Sequence, residues 1–297
     1  MSATIVMTGA TRGIGTVAAR RMAAGNRLIV GARAGTVAGA EMLRLDLASL
    51  ASVRTFAANV VTMLAGDPID TLVLNAGGQR PDVTARSVEG FELTFATNHL
   101  AHYLLLRRLT PHLACGARIV ITSSGTHDPA EKTGVPPPRH ADVGLLADLD
   151  TDPRRDAGAI AAGMRAYAAS KLCNLMTART LAASAAAVEN GWIVTAYDPG
   201  LTPGTGLVRD QMWVVRALVW PLLPLLAPFR PGMNRLSDAG RGLANLALGA
   251  VTPPPGHVYA ALRKGRLTWP EPSELARDDA AAARLWADSA RLVGLAA

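Results

Sequence analysis

The segment that most restricts what this chain can fold into is its first fifteen residues. Thr4-Ile5-Val6-Met7-Thr8 is a short apolar run that leads into Gly9-Ala10-Thr11-Arg12-Gly13-Ile14-Gly15, and an alanine-rich stretch continues to Ala24. Strand, glycine turn and helix in that order open the kind of βαβ unit that holds a dinucleotide. The glycines let the backbone approach a pyrophosphate, and the helix amino terminus supplies N–H donors and the positive end of a dipole. The spacing here is Gly-x-x-x-Gly-x-Gly, not the commoner Gly-x-Gly-x-x-Gly.

The remaining apolar runs continue the pattern. Arg27–Gly31 reads as a second strand and Met42–Leu45 as a third, with only seven residues, Ala34–Ala40, between Arg33 and Glu41. That is too short for a crossover helix, so one helix of the usual alternation is reduced to a turn. Asp46-Leu47 ends the third strand, and Ser49 caps a helix to about Leu64. Asp70–Leu74 is a fourth strand running into Asn75-Ala76-Gly77-Gly78, and Val88–Leu113 reads as one long helical stretch with Asn98 in its middle. Arg118–Ser123 is a fifth strand with Ser124 at its end, and Trp192–Tyr197 is a sixth, closed by Asp198-Pro199-Gly200. Ser237 should cap a helix to Leu248, Val258–Ala260 is a brief seventh strand, and Ser273 should cap a last amphipathic helix to Leu292. The expected architecture is α/β: a single doubly wound Rossmann-type domain over residues 1–297, with a mostly parallel seven-stranded sheet and helices on both faces. Two segments depart from it, an insertion at residues 125–163 and a Pro- and Trp-containing region at 201–235.

Ala166-Tyr167-Ala168-Ala169-Ser170-Lys171 lies in a further helical run, expected to reach about Ala187. Four residues apart on a helix, Tyr167 and Lys171 share a face. An ammonium beside a phenol favours the phenolate, so the expectation is a tyrosine whose pKa lies below its usual value of about 10. Only three of the 30 basic residues are lysine, yet one stands at this position. A compact point charge does there what a planar guanidinium fork would do poorly.

The cofactor can be narrowed further. Where a ribose-binding acid would be expected at the end of the second strand stands Arg33, and Arg12 lies in the glycine turn. Arginine in that corner suits a 2′-phosphate, hence NADP(H). The net charge of +7 might otherwise suggest a polyanion, but no basic run exceeds two residues and aromatics are 4%. Nucleic-acid binding is therefore excluded. Cys115 and Cys173 are far apart without metal-ligand spacing. They read as small buried hydrophobes in a reducing compartment, and no metal is expected. The longest apolar run, Ala217–Phe229, is 13 residues with three prolines, too short and too broken to span a bilayer. No leader is legible at the amino terminus, and the expected location is cytoplasmic.

Taken together, Thr8-Gly9-x-x-x-Gly13-x-Gly15, Asp46-Leu47, Asn75-Ala76-Gly77, Asn98, Ser123-Ser124, Tyr167-x-x-x-Lys171 and Pro199-Gly200 resemble the short-chain dehydrogenases/reductases, in the family's order and over essentially the whole chain. Asn98-His99-Leu100, Ser170-Lys171-Leu172-x-Asn174 and Arg284-Leu285-Trp286 look most like the retinol dehydrogenase and protochlorophyllide reductase branch, to which bacterial polyketide ketoreductases are also similar. The resemblance implies that Tyr167 protonates a carbonyl oxygen while hydride arrives from the nicotinamide. It implies that Lys171 binds the nicotinamide ribose, that Ser124 polarises the carbonyl, and that Asn98 holds a water linking Lys171 to solvent. Gly9, Thr11, Arg12, Gly13, Ile14, Gly15, Arg33, Asp46, Leu47, Asn75, Ala76, Gly77, Pro199 and Gly200 would line the cofactor together with Tyr167 and Lys171.

The chain departs from the family pattern in the missing second helix and in the distance between Ser124 and Tyr167, which are 43 residues apart, a longer separation than many members have. His127, three residues after Ser124, is open to facing the substrate, but as a lone loop histidine it reads as exposed. Leu207–Phe229, with Met212, Trp213 and Trp220, is expected to be an apolar lid over a bulky, largely hydrophobic carbonyl substrate. Oligomeric state stays open, a homo-oligomer included. Two rival functions are an NADP-sensing binding protein, which would usually lack the tyrosine or the lysine, and a sugar-nucleotide epimerase, whose first turn resembles Gly-x-x-Gly-x-x-Gly.

Overall fold

Strands that are apolar on both faces can be satisfied only between two helical layers, and β1 (Thr4–Thr8) is buried at all five positions. The computed structural model describes residues 2–203 and 233–296. In it β1 pairs in parallel with β2 (Arg27–Ala32) on one side and β4 (Ile69–Leu74) on the other. β3 (Ala40–Arg44) follows β2 with no helix between them, as the short spacing requires. The sheet order is β3-β2-β1-β4-β5-β6-β7-β8, with β5 at Leu113–Thr122, β6 at Ile193–Asp198, β7 at Tyr259–Arg263 and β8 at Arg266–Thr268. Strand order reverses between β1 and β4, which opens a crevice at their carboxyl ends.

Alternate residues of each strand feed two separate cores. Ile5, Met7, Leu28 and Val30 pack with α1 (Gly13–Met22) and α8 (Leu236–Ala247). Val6, Ile29, Leu72 and Ile119 pack on the other face with α2 (Leu50–Leu64), α4 (Ala101–Leu109) and α6 (Ala159–Ala182). The last helix, α9 (Asp279–Leu292), seals that second layer. Tyr103 Oη donates to Trp286 O at 2.8 Å, and the Arg107 guanidinium lies 5.6 Å and 5.2 Å from the Tyr103 and Trp286 rings.

Several expectations need correction. The sheet has eight strands, not seven: β8 returns antiparallel on β7 through Lys264-Gly265, both at positive φ (51° and 73°). Such a two-residue turn matches strand twist, but a lysine in its first position conceals it in the sequence. The stretch 88–113 is not one helix. Glu92 caps α3 (Leu93–Phe95) by accepting from Thr94 N and Phe95 N at 2.9 and 2.7 Å. A π-turn at Ala96–Leu100 separates α3 from α4, and Pro111 sits in a closing 3-10 turn before β5 begins at Leu113. Ser273 Oγ only accepts from Ala276 N, at 3.3 Å, in a 3-10 turn, Leu275–Arg277, while Asp278 caps α9. α8 starts at Leu236 after Arg235 with no side-chain cap, so Ser237 is not its cap. α6 ends at Ala182, and Ser184 caps a separate helix, α7 (Ala185–Glu189).

Within residues 125–163, three 3-10 turns (Gly125–His127, Pro129–Glu131, Leu149–Thr151) and the short α5 (Val143–Ala147) precede the start of α6. Arg165 and Arg139 both grip Asp156, at 2.6 and 2.9 Å. The expected lid, Leu207–Phe229 with Met212, Trp213 and Trp220, lies outside the described residues. Among the described residues no helix is long and apolar enough to cross a membrane, and no cluster of metal-ligating side chains occurs.

Candidate active site

The carboxyl end of β1 is tied to that of β4 by one hydroxyl. Thr8 Oγ1 accepts from Asn75 N and from Ala76 N, both at 3.1 Å, while Asn75 Nδ2 donates to Gly9 O at 3.0 Å. Thr122 Oγ1, from β5, donates to Asn75 Oδ1 at 3.1 Å. The glycines are required by this closeness. A Cβ on Gly9 would stand 2.6 Å from Ala76 Cα, and one on Gly15 1.8 Å from Gly9 O. α1 then begins at Gly13 with no side-chain cap from Arg12, so its first N–H groups are open to an anion. This cradle fits a pyrophosphate. Arg12 and Arg33 are both exposed beside it. A Cβ on Gly35 would lie 3.5 Å from Thr11, which brings the end of β2 against the glycine turn. Ile14 is half-buried there. Asp46 and Leu47 follow β3 half-buried, with Asp46 Oδ1 accepting from Ala48 N at 3.1 Å. Gly200, at φ 65°, donates to Asp198 Oδ1 at 2.8 Å, and Asn234 Nδ2 donates to Pro199 O at 3.0 Å.

The second half of the site is built by α6. Tyr167 and Lys171 are 7% and 3% exposed, and Lys171 Nζ lies 5.7 Å from the centre of the Tyr167 ring. Nζ donates to Thr122 O at 3.1 Å, and Asn174 Nδ2 donates to the same carbonyl at 3.1 Å. A Cβ on Gly77 would stand 3.3 Å from Lys171 Nζ and 3.1 Å from Asn98 Oδ1, so Gly77 brings the pair together. Asn98 is completely buried, and the π-turn aims it across at the β4 loop. Its Oδ1 accepts from Gly78 N at 3.0 Å, and its Nδ2 donates to Gly78 O at 2.9 Å and to Ser170 Oγ at 3.0 Å. These bonds answer why a polar side chain sits mid-helix. Ser124 Oγ caps the 3-10 turn after β5 by accepting from Thr126 N at 3.3 Å, and its hydroxyl lies near enough to Tyr167 to favour the phenolate.

The expected lowering of the Tyr167 pKa by Lys171 is not what the geometry gives. Burial dominates for both groups and disfavours the charged form of each. It pushes the Tyr167 phenol well up, against the hydrogen bond from Ser124 and with reinforcement from Asp198. It pushes Lys171 down to about 8, with Asp198 opposing. Tyr167 is therefore a proton-loaded phenol beside an easily discharged ammonium, a pair suited to giving a proton to an oxygen that gains negative charge.

Three polar residues of this region were not singled out or were misread from the sequence. His102 bridges the two halves: its Nε2 meets Thr8 Oγ1 at 2.9 Å and its Nδ1 meets Asn98 O at 3.1 Å. Because Thr8 Oγ1 already accepts two N–H bonds, its own proton goes to Nε2, and Nδ1–H donates to the carbonyl. The position of His102 one turn after Asn98 was the available signal. His127, expected to be exposed, is 1% exposed; its Nδ1 bonds to Ser124 O at 2.7 Å and its ring meets Tyr259 edge-on at 5.1 Å. Asp198, read only as a strand end, is buried and holds Arg263 at 2.8 Å. Cys115 is also corrected: it is exposed, while Cys173 is buried.

The buried histidines predict acid sensitivity. Burial lowers His102 to about 4 and His99, which bonds to Ser289 Oγ at 2.9 Å, to about 3. Unfolded, both would titrate near 6.5. Below that pH the unfolded chain binds more protons, so stability present at pH 7 is lost on acidification. The two together should cost on the order of 2 kcal/mol by pH 5.5, read as a falling urea midpoint. A midpoint constant between pH 7 and 5.5 would contradict this.

Comparison with known proteins agrees with the geometry. Residues 3–133 match the family model described as short chain dehydrogenase. The chain is 31% identical over 319 residues to the chloroplastic protochlorophyllide reductase B of Oryza sativa subsp. japonica, across 99% of this chain and 78% of the relative. A crystal structure of an uncharacterized protein from Mycobacterium paratuberculosis superposes with a TM-score of 0.70 at 29% identity, covering 99% of this chain and 94% of that one. The NADPH-bound carbonyl reductase from chicken fatty liver shares the fold at a TM-score of 0.55 and 18% identity, covering 83% and 87%. The family match over residues 3–133 and the 31% identity to a relative aligned across 99% of this chain, together with a strand–glycine turn–helix cradle that faces a buried tyrosine–lysine pair, make this chain a member of the short-chain dehydrogenase family and a nicotinamide-dependent oxidoreductase.

Proposed function

We propose that the protein reduces the carbonyl of a bulky, largely hydrophobic ketone or aldehyde with NADPH, or runs the reverse oxidation. The observation that carries this reading is the convergence of Ser124, Tyr167, Lys171 and Asn98 at the strand ends beside the glycine cradle. NADPH, when bound, supplies the hydride. The Ser124 hydroxyl donates to the carbonyl oxygen and fixes its position, and Tyr167 gives that oxygen its phenolic proton. Lys171 holds the ribose hydroxyls and supports the charge left on the phenol. Asn98 keeps Gly78 and Ser170 in register, so the loop after β4 and α6 move as one.

Arg12, in the glycine turn, and Arg33, just after β2, are both exposed and suit a 2′-phosphate. Arg33→Asp puts a repelling carboxylate there and should shift preference toward NADH. One charge-assisted bond contributes about 1.5–3 kcal/mol, so NADPH affinity should fall roughly ten- to hundredfold. An unchanged ratio of NADPH to NADH affinity would remove Arg33 from the role. The curated relatives carry the name protochlorophyllide reductase, which supports a large, mostly apolar substrate. The test is loss of NADPH absorbance over a panel of aromatic, isoprenoid and small polar carbonyl compounds, with protochlorophyllide included. Faster turnover of the small polar members would overturn the substrate class. An exposed free thiol at Cys115 fits a reducing compartment such as the cytoplasm.

A further inference from the structure

The end of β6 carries a charge that the reaction as described does not use. Thr122 is the register partner of Tyr197, and Ser123 N donates to Tyr197 O at 2.8 Å, so Ser123 and Asp198 form the next pair. Successive strand residues face opposite sides of the sheet. Tyr197 packs into the α1–α8 layer, which turns Asp198 toward α6, where Ser123 Oγ donates to Lys171 O at 2.8 Å. Asp198 is 1% exposed. Its Oδ2 accepts from Tyr259 Oη at 3.2 Å and from Arg263 Nη1 at 2.8 Å, and Arg263 Nη2 donates to Glu131 Oε1 at 2.6 Å. A Cβ on Gly125, the neighbour of Ser124, would stand 3.1 Å from Asp198 Oδ2 and 3.4 Å from Arg263 Nη2. Two carboxylates thus share one guanidinium directly behind the catalytic serine, and the group carries a net negative charge.

Among the described residues, little else offsets that charge. His102, facing Lys171 from α4, is neutral above about pH 4. His127, against Tyr259, is held neutral by burial although Asp198, Asp128 and Glu131 favour its charged form. Burial and Asp198 both keep Tyr259 a phenol. A buried ion pair is weak support for stability, because desolvation consumes much of the Coulomb gain. An electrostatic task explains better why a carboxylate is kept here.

We propose that Asp198, tempered by Arg263, is a positioning residue that sets the charge state of the catalytic pair, holding Lys171 as an ammonium and the proton on Tyr167 so that the site rests loaded for reduction. This rests on the reading of Tyr167 as the proton donor. Both catalytic groups respond in that sense, since the Asp198 charge raises the pKa of Lys171 and of Tyr167 alike.

The test reads Lys171 directly. With only Lys132, Lys171 and Lys264 present, protein labelled with [ε-¹³C]lysine gives three titrating NMR signals, assigned with Lys132→Arg and Lys264→Arg. Asp198→Asn should lower the Lys171 midpoint by roughly half a pH unit or more, and Arg263→Gln should raise it by a similar amount. Glu131→Gln, at a rim position 32% exposed, should lower it and serves if Asp198→Asn fails to fold. The pH at which alcohol oxidation half-rises should follow the same order. A structural brace would give shifts of one sign or none in these variants, and either result overturns the proposal. Absence of carbonyl reduction by the unmodified protein would instead strike the proposed function, because the lysine titration needs no turnover.

Discussion

Tyr167→Phe is expected to lower carbonyl reduction by at least about a hundredfold while NADPH binds as before. The substitution keeps the ring in its buried slot and removes the one proton that the proposed mechanism spends there. Burial has already raised the phenol's pKa, so the group enters the reaction protonated. The hydroxyl of Ser124 stays in place but cannot replace it as an acid. The measurement is turnover at saturating NADPH beside a fluorescence titration of NADPH binding. Near-normal turnover would show that another group supplies the proton.

Gly15→Ala should have a comparably large effect on binding. Alanine favours helix, so α1 itself gains from the change. The added Cβ, however, would stand 1.8 Å from Gly9 O and 2.8 Å from Asn75 Nδ2, and the turn must open to admit it. Losing two charge-assisted bonds to a pyrophosphate costs about 3 kcal/mol or more, a loss in NADPH affinity of roughly a hundredfold. Far-UV circular dichroism should stay that of the parent protein. Retained affinity would mean that the cradle does not hold the phosphates.

The sequence made the scaffold of the site legible because its constraints are local. A glycine that must touch a backbone, a lysine one turn from a tyrosine and a serine ending a strand are each visible within a few residues. The missing helix between β2 and β3 followed from chain length alone. What escaped depended on distant partners. His127 reads as a loop residue until β7 supplies Tyr259 for its ring and the 3-10 turn supplies Ser124 O for its Nδ1. The fall in the Tyr167 pKa was inferred from Lys171 alone, and burial, a property of the whole fold, reverses it. The long helix at 88–113 was read through because nothing in its composition announces a π-turn. That turn exists where Asn98 crosses to Gly78, a contact twenty residues back along the chain. Cys115 reads as a core residue by its type, yet it lies at the exposed start of β5.

The central claim is hydride transfer from NADPH to a carbonyl carbon with Tyr167 as proton donor. It is tested most directly with NADPH carrying deuterium at both nicotinamide C4 positions and the most rapidly reduced compound of the carbonyl panel. The account predicts one deuterium per turnover on the new carbinol carbon, found by mass spectrometry of the product, and loss of that product in Tyr167→Phe. Tight NADPH binding with no deuterated alcohol from any compound, or as much deuterated alcohol formed by Tyr167→Phe as by the parent protein, would contradict it.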